Sequence, residues 1–193
     1  MQSNTEPKPK TAKCKVCEGT YQRLRPMQKV CSPVCAMTHT RELVKKKAER
    51  EAKAERKADK AKLDAMRTKP QLTKLAQQAF NAFIRARDAG KPCISCGTTL
   101  SNEPNTYDAG HYRSVGSAPH MRFVEDNCHG QCKHCNNYLA GNHVAYRLGL
   151  VARIGLRNVE LIEADTILRK YSHEGLIEIA RHYRAEAKRI RGK

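Results

Sequence analysis

The chain has 193 residues, a formal net charge of +18 and no tryptophan, and only 5% of its residues are aromatic. So few large rings argue against one extensive core, and the sequence predicts small units joined by helices. The positive charge favours a polyanionic partner, nucleic acid first, because Lys and Arg displace counterions from phosphate backbones. The sequence has neither an apolar run of membrane-spanning length nor an apolar, basic amphipathic anchor, which argues against a membrane partner.

The N-terminal residues, MQSNTEPKPKTAK, are polar and lack the apolar stretch of a secretory signal. We therefore expect the protein in a reducing cytoplasm, where its nine cysteines favour metal binding over disulfides. Two closely spaced pairs come first and predict one tetrahedral zinc site in a finger over residues 1–39: Cys14, Cys17, Cys31 and Cys35. Four thiolates leave no open position for water, so this zinc is predicted to be structural.

A long basic helical arm is predicted over residues 40–69. Between Thr40 and Arg67 the sequence has neither Pro nor Gly and alternates Lys, Arg, Glu and Ala, which favours one continuous helix. The middle of the arm offers only Ala, so it cannot bury much apolar surface. Two interpretations stay open: a solvated arm, or a strut that lies along DNA or pairs with another subunit.

Residues 70–150 form the predicted core domain, which begins with an amphipathic helix after Pro70. Its apolar residues follow helical spacing: Leu72, Leu75, Ala76, Ala79, Phe80, Phe83 and Ile84. Two more cysteine pairs, 35 residues apart, predict a second structural zinc held by Cys93, Cys96, Cys132 and Cys135. Between the pairs, β-forming residues at 107–115 and 121–124 flank Gly116 and Pro119, which predicts a hairpin. The second pair is expected to open a helix.

Residues 151–193 are predicted to be a basic helical region. Asn158 and Ser172 each precede a segment with an apolar face, and Asn142 precedes the last helix of the core domain in the same way. Residues 93–140 carry a formal charge of −1, while every flanking region is positive. This distribution suits a central site for a divalent cation between arms that hold phosphate.

The central segment contains an ordered set of residues: Cys-x-x-Cys, Asp108-Ala-Gly-His111, Asp126-Asn127 and Cys-x-x-Cys-Asn136. This motif resembles the HNH, or His-Me finger, endonucleases, and its zinc-bound layout is similar to that of phage endonuclease VII. Over its whole length the chain more closely resembles the lambdoid phage NinG (Rap) recombination family. The resemblance implies an α+β fold with a treble-clef HNH (ββα-metal) zinc core, and a nuclease that cuts Holliday junctions and related branched DNA.

The resemblance also implies a role for each residue of the motif. His111 matches the general base, and Asn136 matches a ligand of one catalytic Mg²⁺ or Mn²⁺. Related enzymes often carry an acidic ligand directly before the histidine, where this chain has Gly110. Asp108 lies on the same strand face as Gly110, so we expect it to supply the carboxylate.

Arg113 and Arg147 are predicted to bind the phosphates of the substrate, Arg113 because it lies two residues after His111 on the same strand face. His111 could instead ligate zinc, although four cysteines already fill that site. Other interpretations stay open for further polar residues: His129 and His134 as competing bases, Asn127 as a loop tether, Cys128 as a small buried residue, and Asn142 and His143 as helix-capping or phosphate-binding residues.

The preferred function is a metal-dependent, structure-selective DNA endonuclease of phage recombination in the bacterial host cytoplasm. The alternative is a non-catalytic zinc protein that binds branched DNA as a recombination mediator, and an RNA-binding protein ranks last because few rings are available for stacking. The grouping of Asp108, His111 and Asn136 favours the enzyme. Symmetric cutting of a four-way junction needs two active sites, so a homodimer is expected, with no small-molecule cofactor.

Overall fold

The computed structural model describes residues 11–101, 103 and 105–192. The chain divides into two compact units, one ending at Ala65 and the other beginning at Met66. The first contains a hairpin of strands β1 (Thr11–Lys13) and β2 (Thr20–Gln22), followed by helix α1 (Pro33–Met66). Within the described ranges, no helix combines the length and apolar character that crossing a membrane requires.

Helix α1 begins at Pro33 rather than at the predicted Thr40. The hydroxyl oxygen of Ser32 accepts a hydrogen bond from the Cys35 backbone N–H at 3.2 Å, which is the arrangement of a helix cap, and proline suits the first helical position. The last cysteine of the first finger therefore lies inside the helix. Cys35 is also the one buried residue of α1, a helix that the structure describes in full, in keeping with a helix that buries little surface.

The second unit mixes helices with one small antiparallel sheet. In chain order its elements are α2 (Lys69–Arg87), β3 (Tyr107–His111), β4 (Cys128–Cys132), a π-helical turn (His134–Tyr138), α3 (His143–Ile154), α4 (Leu156–Ala164) and α5 (His173–Arg191). This mixture of helices and small sheets confirms the predicted combination of α and β elements. Ser172 caps α5 as predicted, accepting the Gly175 backbone N–H at 3.0 Å, whereas Asn158 lies within α4 rather than before it.

The second strand of the central hairpin does not lie where the sequence predicts it. Residues 121–124 form turns instead, beginning with a 3₁₀ turn at Pro119–Met121, because a proline removes the backbone donor that a strand ladder needs. The partner of β3 is β4, in a register that pairs Tyr107 with Cys132 and His111 with Cys128. The first cysteine of the second pair is thus the last residue of a strand.

Two apolar clusters flank this hairpin. The larger joins α2 to α5, and the predicted face of α2 is buried in it: Leu72, Ala76, Ala79, Phe80, Phe83 and Ile84. Phe80 meets Tyr183 of α5 edge to face, with ring centroids 4.9 Å apart, a geometry that contributes about 0.5–1.5 kcal/mol beyond area burial. The second cluster, centred on Tyr146 and Leu150, packs α3 against α4.

Asp88, directly after α2, is a buried carboxylate that no sequence pattern singles out. Its oxygens accept hydrogen bonds from Arg87 at 2.9 and 3.0 Å and from the Gly130 backbone N–H at 2.8 Å, and His129 Nδ1 lies 3.6 Å away. Burial alone would raise the pKa of Asp88, but the neighbouring His129 ring and the hydrogen bonds and charge of Arg87 hold it well below its usual range. This carboxylate fastens the end of α2 to β4.

We expect Asp88→Asn to destabilise the second unit by about 3–5 kcal/mol, because it leaves the half-buried Arg87 guanidinium without its counter-charge. Urea denaturation followed by circular dichroism measures the change. Asp126→Asn is the matched control, since Asp126 is an exposed carboxylate, and it should shift stability by no more than about 0.5 kcal/mol. Equal midpoints for the two variants would show that Asp88 does not hold α2 to the sheet.

Candidate functional site

Two groups of four cysteines could each hold a structural zinc ion, as predicted: Cys14, Cys17, Cys31 and Cys35, and Cys93, Cys96, Cys132 and Cys135. Within each group all sulfur atoms lie within 4.8 Å of one another. The Sγ atoms of Cys96 and Cys132 are 3.7 Å apart, and tetrahedral zinc with bonds of about 2.3 Å places sulfurs about 3.8 Å apart. All nine cysteines are described, and none forms a disulfide.

The second tetrad is an environment that favours a bound cation over four protonated thiols. Hydrogen bonds from Thr98 lower the pKa of the Cys96 thiol to about 6. Burial raises the pKa of Cys132 to about 12, together with hydrogen bonds from Cys132 to the neighbouring thiols. Zinc would require all four cysteines as thiolates, so its binding here would release protons and stabilise the fold.

The tetrad also fixes the segment that carries Asn136. Cys132 ends β4 and Cys135 lies in the π-helical turn, where its backbone N–H donates to Cys132 Sγ at 3.4 Å. The turn is closed by Gly141, whose N–H donates to the Cys135 carbonyl at 3.0 Å and whose carbonyl accepts from Gln131 Nε2 at 2.6 Å. The cysteine tetrad, the strand and the turn therefore set the position of Asn136 together.

The structure brings the two predicted cation ligands together. Asp108 Oδ2 accepts a hydrogen bond from Asn136 Nδ2 at 3.0 Å, and a second from Asn137 Nδ2 at 3.0 Å. Asn137 is a member of this group that the sequence reasoning missed, although two successive asparagines after the last cysteine were a usable signal. We call Asp108, Asn136 and Asn137 the carboxamide cluster.

His111 lies on the opposite face of β3 from Asp108, because the two residues are three positions apart on a strand. Its ring faces Phe80, with centroids 6.0 Å apart. Nε2 is 3.0 Å from the carbonyl oxygen of Arg122, and Nδ1 is 3.6 Å from the Sγ of Cys128. The structure therefore does not bring His111 into contact with the carboxamide cluster.

The surroundings of His111 keep it neutral. Burial lowers its pKa, so the uncharged imidazole predominates at pH 7. A carbonyl oxygen can only accept, so Nε2 carries the proton and donates to Arg122, which leaves the lone pair on Nδ1 facing the fully buried Cys128. His134 differs, since it is exposed and shares the π-helical turn with Asn136.

Gly110 directly precedes His111, at the position where the resemblance to HNH endonucleases leads us to expect an acid. A Cβ atom there would overlap the side chain of Gln131, so no carboxylate fits without rearrangement. The Gly110 carbonyl accepts the Tyr146 hydroxyl at 2.9 Å, and Gln131 Nε2 donates to Ser95 Oγ at 2.7 Å. Crowding at Gly110 explains why the nearest strand carboxylate on this face is Asp108, two residues earlier.

The two arginines predicted to bind phosphate both reach the end of α4. Arg113 Nη1 donates to the carbonyl oxygens of Ile162 and Asp165, at 3.0 and 2.6 Å. Arg147 pairs with Glu163, with Nε 2.7 Å from Oε1. Substrate binding by either residue stays a prediction, and for Arg147 it requires phosphate to displace Glu163.

Two neighbouring residues have structural roles. Asn127 ties the loop between the strands: its Oδ1 accepts the Arg113 backbone N–H at 2.8 Å and its Nδ2 donates to the Arg113 carbonyl at 3.0 Å. Cys128 is fully buried, as expected. Asn142 precedes α3 in a left-handed conformation without a side-chain cap, and its Nδ2 lies 3.6 Å from Cys135 Sγ.

The family model described as Bacteriophage Lambda NinG protein matches residues 6–192. The chain belongs to the NinG family. It is 41% identical to protein NinG of Salmonella phage P22 over 172 residues, covering 83% of each chain. It is 38% identical to protein NinG of Escherichia phage lambda over 197 residues, covering 95% of each chain. No solved structure matches it.

We expect this NinG-family chain to bind two zinc ions, measured by elemental analysis of protein purified without chelator. Cys17→Ser and Cys132→Ser should each lose one equivalent. Cys132→Ser should also unfold the second unit, because zinc binding energy is folding energy, whereas Cys17→Ser should leave the melting of that unit unchanged. One zinc or none in the wild-type protein would contradict the two-site assignment.

Proposed function

We propose that this NinG-family chain is a metal-dependent endonuclease of branched DNA, including Holliday junctions, with an HNH-type, treble-clef zinc core. The observation that carries the proposal is the carboxamide cluster, held against a hairpin by the second cysteine tetrad. A zinc-stabilised turn that presents a carboxylate and two amides has more oxygen donors than a binding module needs. The proposal includes a homodimer, because symmetric cutting of a junction needs two sites.

The donor set of the cluster fits a hard divalent cation. Carboxylate and amide oxygens are preferred ligands of Mg²⁺, and the remaining positions would be taken by water and phosphate. In the arrangement seen, the Asn136 and Asn137 amide nitrogens face Asp108, and a half-turn of either amide would present its oxygen instead. Bound Mg²⁺ or Mn²⁺ would neutralise charge on the scissile phosphate and on the departing 3′ oxygen.

Proton acceptance from the attacking water is assigned to His111, as the family resemblance implies. Its neutral state supports this role, because only an uncharged imidazole can take a proton. The lone pair on Nδ1 faces Cys128, so the ring must turn away from the Arg122 carbonyl before it can act. His134 is the competing base, exposed and on the same turn as Asn136.

A groove along α2 supports the proposal that the DNA backbone binds near His111. Its volume is about 570 Å³, and its lining contains three cations and several amides but no carboxylate: Lys69, Pro70, Thr73, Lys74, Gln77, Gln78, Asn81 and Arg122. Arg122 links the groove to His111, because its carbonyl accepts from the histidine ring while its Nη1 donates to Gln77 at 3.2 Å. Cations and amides together suit phosphate oxygens.

A second function, non-catalytic binding of branched DNA as a recombination mediator, is favoured by one specific observation. His111 and the carboxamide cluster lie on opposite faces of β3, and the histidine lone pair faces a buried thiol. A protein that only binds DNA would need no rearrangement there. Labelled junction, duplex and single strands, incubated with Mg²⁺, Mn²⁺ or EDTA, separate the two functions.

We expect cutting of the junction to require the divalent cation. Asp108→Ala and Asn136→Ala should slow it, and excess Mg²⁺ should partly restore it, because both residues serve to hold the metal. Asn158→Ala, an exposed asparagine on α4, is the matched control and should cut at the wild-type rate. A wild-type protein that binds junctions yet never cuts them with either metal would establish the mediator instead.

His111→Ala should slow cleavage by about 10²–10⁴-fold, the usual worth of a positioned proton acceptor. Zinc content and junction binding should stay unchanged, and excess Mg²⁺ should not restore the rate. The cleavage rate of His134→Ala, measured in parallel, tests whether His134 is the general base instead. Loss of cutting in His134→Ala with a normal rate in His111→Ala would transfer the base role to the π-helical turn.

DNA affinity should fall steeply as salt rises and depend little on base sequence, because phosphate contacts release counterions. Lys69→Ala and Lys74→Ala should each reduce the slope of log K against log salt by about 1 if the α2 groove holds phosphate. Fluorescence anisotropy at several NaCl concentrations measures this. Slopes identical to that of the wild type would place the DNA elsewhere on the protein.

A further inference from the structure

Tyr138 is unlike every other aromatic residue of the chain. All three Phe and seven Tyr residues are described, and nine of these ten are buried or half-buried, whereas the Tyr138 side chain is 80% exposed. Large rings are few in this protein, and the apolar clusters use the others. An exposed ring in such a chain contributes almost nothing to the core.

The hydroxyl of Tyr138 is also exceptional. Each of the other six tyrosines donates its hydroxyl to a protein acceptor, for example Tyr146 to the Gly110 carbonyl at 2.9 Å and Tyr112 to Glu163 at 2.5 Å. Among the described residues, no acceptor lies within hydrogen-bond distance of the Tyr138 hydroxyl. Neither burial nor hydrogen bonding within this chain accounts for the position of the ring.

The Tyr138 ring is nevertheless held in place. It stacks on the exposed imidazole of His134, with centroids 6.1 Å apart and planes inclined by 27°. Both residues belong to the π-helical turn, which also contains Cys135 of the second tetrad and is closed by the Gly141 hydrogen bonds. This contact and the hydrogen-bonded turn restrict the Tyr138 side chain while most of its ring stays exposed, which lowers the entropic cost of stacking a further ring on it.

The location of the His134–Tyr138 ring pair indicates which kind of molecule it binds. Tyr138 directly follows Asn137 of the carboxamide cluster, and Lys133, an exposed cation, begins the same segment. An exposed aromatic face beside a cation is the arrangement by which proteins bind unpaired nucleobases, because every base offers a π face and the cation meets the backbone phosphates. Fully paired duplex offers no such face along its length.

We propose that the His134–Tyr138 pair is a stacking platform for an unpaired nucleobase at the branch point of the DNA. The platform would give preference for DNA with unpaired bases over linear duplex, at the site of the proposed nuclease, and it rests on that proposed function. Stacking needs no cleavage, so it can be measured with EDTA present. The competing occupant of the exposed Tyr138 ring is a second copy of the chain, since Leu139 and Val144, close by in sequence, are exposed apolar residues as well.

The test uses the full chain in EDTA with two probes: a duplex with a bulge that contains 2-aminopurine, and the same duplex fully paired. The wild-type protein should quench 2-aminopurine at the bulge and bind the bulged probe more tightly. Tyr138→Ala should lose about 5- to 150-fold in affinity for the bulged probe, corresponding to the usual range for stacking on one base, and nothing for the paired probe. Tyr138→Phe should retain both properties.

The controls are Leu139→Ala and Val144→Ala, which remove exposed apolar side chains close to Tyr138 in sequence and should keep the preference. Zinc content and melting of each variant establish that the turn is intact, and quenching by the wild-type protein tests the platform even if Tyr138→Ala misfolds.

Absence of quenching, or an equal loss of affinity for both probes in Tyr138→Ala, would overturn the platform. A change of mass in light scattering with an unchanged preference would assign the surface to a second copy. Failure to bind either probe would overturn the proposed function as well. Quenching at the bulge by a protein that never cuts junctions when Mg²⁺ or Mn²⁺ is supplied would keep the platform and overturn only the nuclease.

Discussion

The four cysteines of the second tetrad, which could share one zinc ion, are the constraint on which the rest of the second unit depends. They join the segment after α2 to the end of β4, around a small core of Leu100 and Tyr107. A two-stranded hairpin is marginal by itself in water. Structural zinc contributes about 10–16 kcal/mol in small zinc domains, comparable with the whole stability of an ordinary domain. The hairpin and its turn can therefore be rigid without a large core of their own.

The hairpin organised in this way has two chemically different faces. One carries the oxygen donors of Asp108 and its asparagines, and the other packs His111 against Phe80 of the α2–α5 cluster. A buried carboxylate, Asp88, fastens the edge of β4 to the end of α2. In the proposed function, the residues for metal binding and for proton transfer lie on opposite faces of a single strand, and a cleavage reaction would require His111 to leave its contact with the Arg122 carbonyl.

Sequence reasoning succeeded where residue spacing reports geometry directly. Short cysteine spacings predicted both tetrads, and the apolar period of α2 predicted its buried face. It failed at β4, because the β-forming residues 121–124 follow Pro119 and close into turns. The burial of Asp88 could not be predicted from the sequence, since a single buried charge leaves no periodic pattern of residues. The opposite faces of Asp108 and His111 were predictable, because three positions along a strand reverse the side chain.

The crowding at Gly110 limits how this site can change by mutation. An aspartate there, directly before the histidine, would overlap Gln131. Shortening Gln131 first would free the space, but it would remove the donor on which Ser95 Oγ and the Gly141 carbonyl depend. Each single substitution is therefore expected to disturb the packing or the hydrogen bonds of this hairpin. A carboxylate at position 110 should be tolerated best when Gln131 changes with it, which leaves Asp108 as the carboxylate on this face of β3.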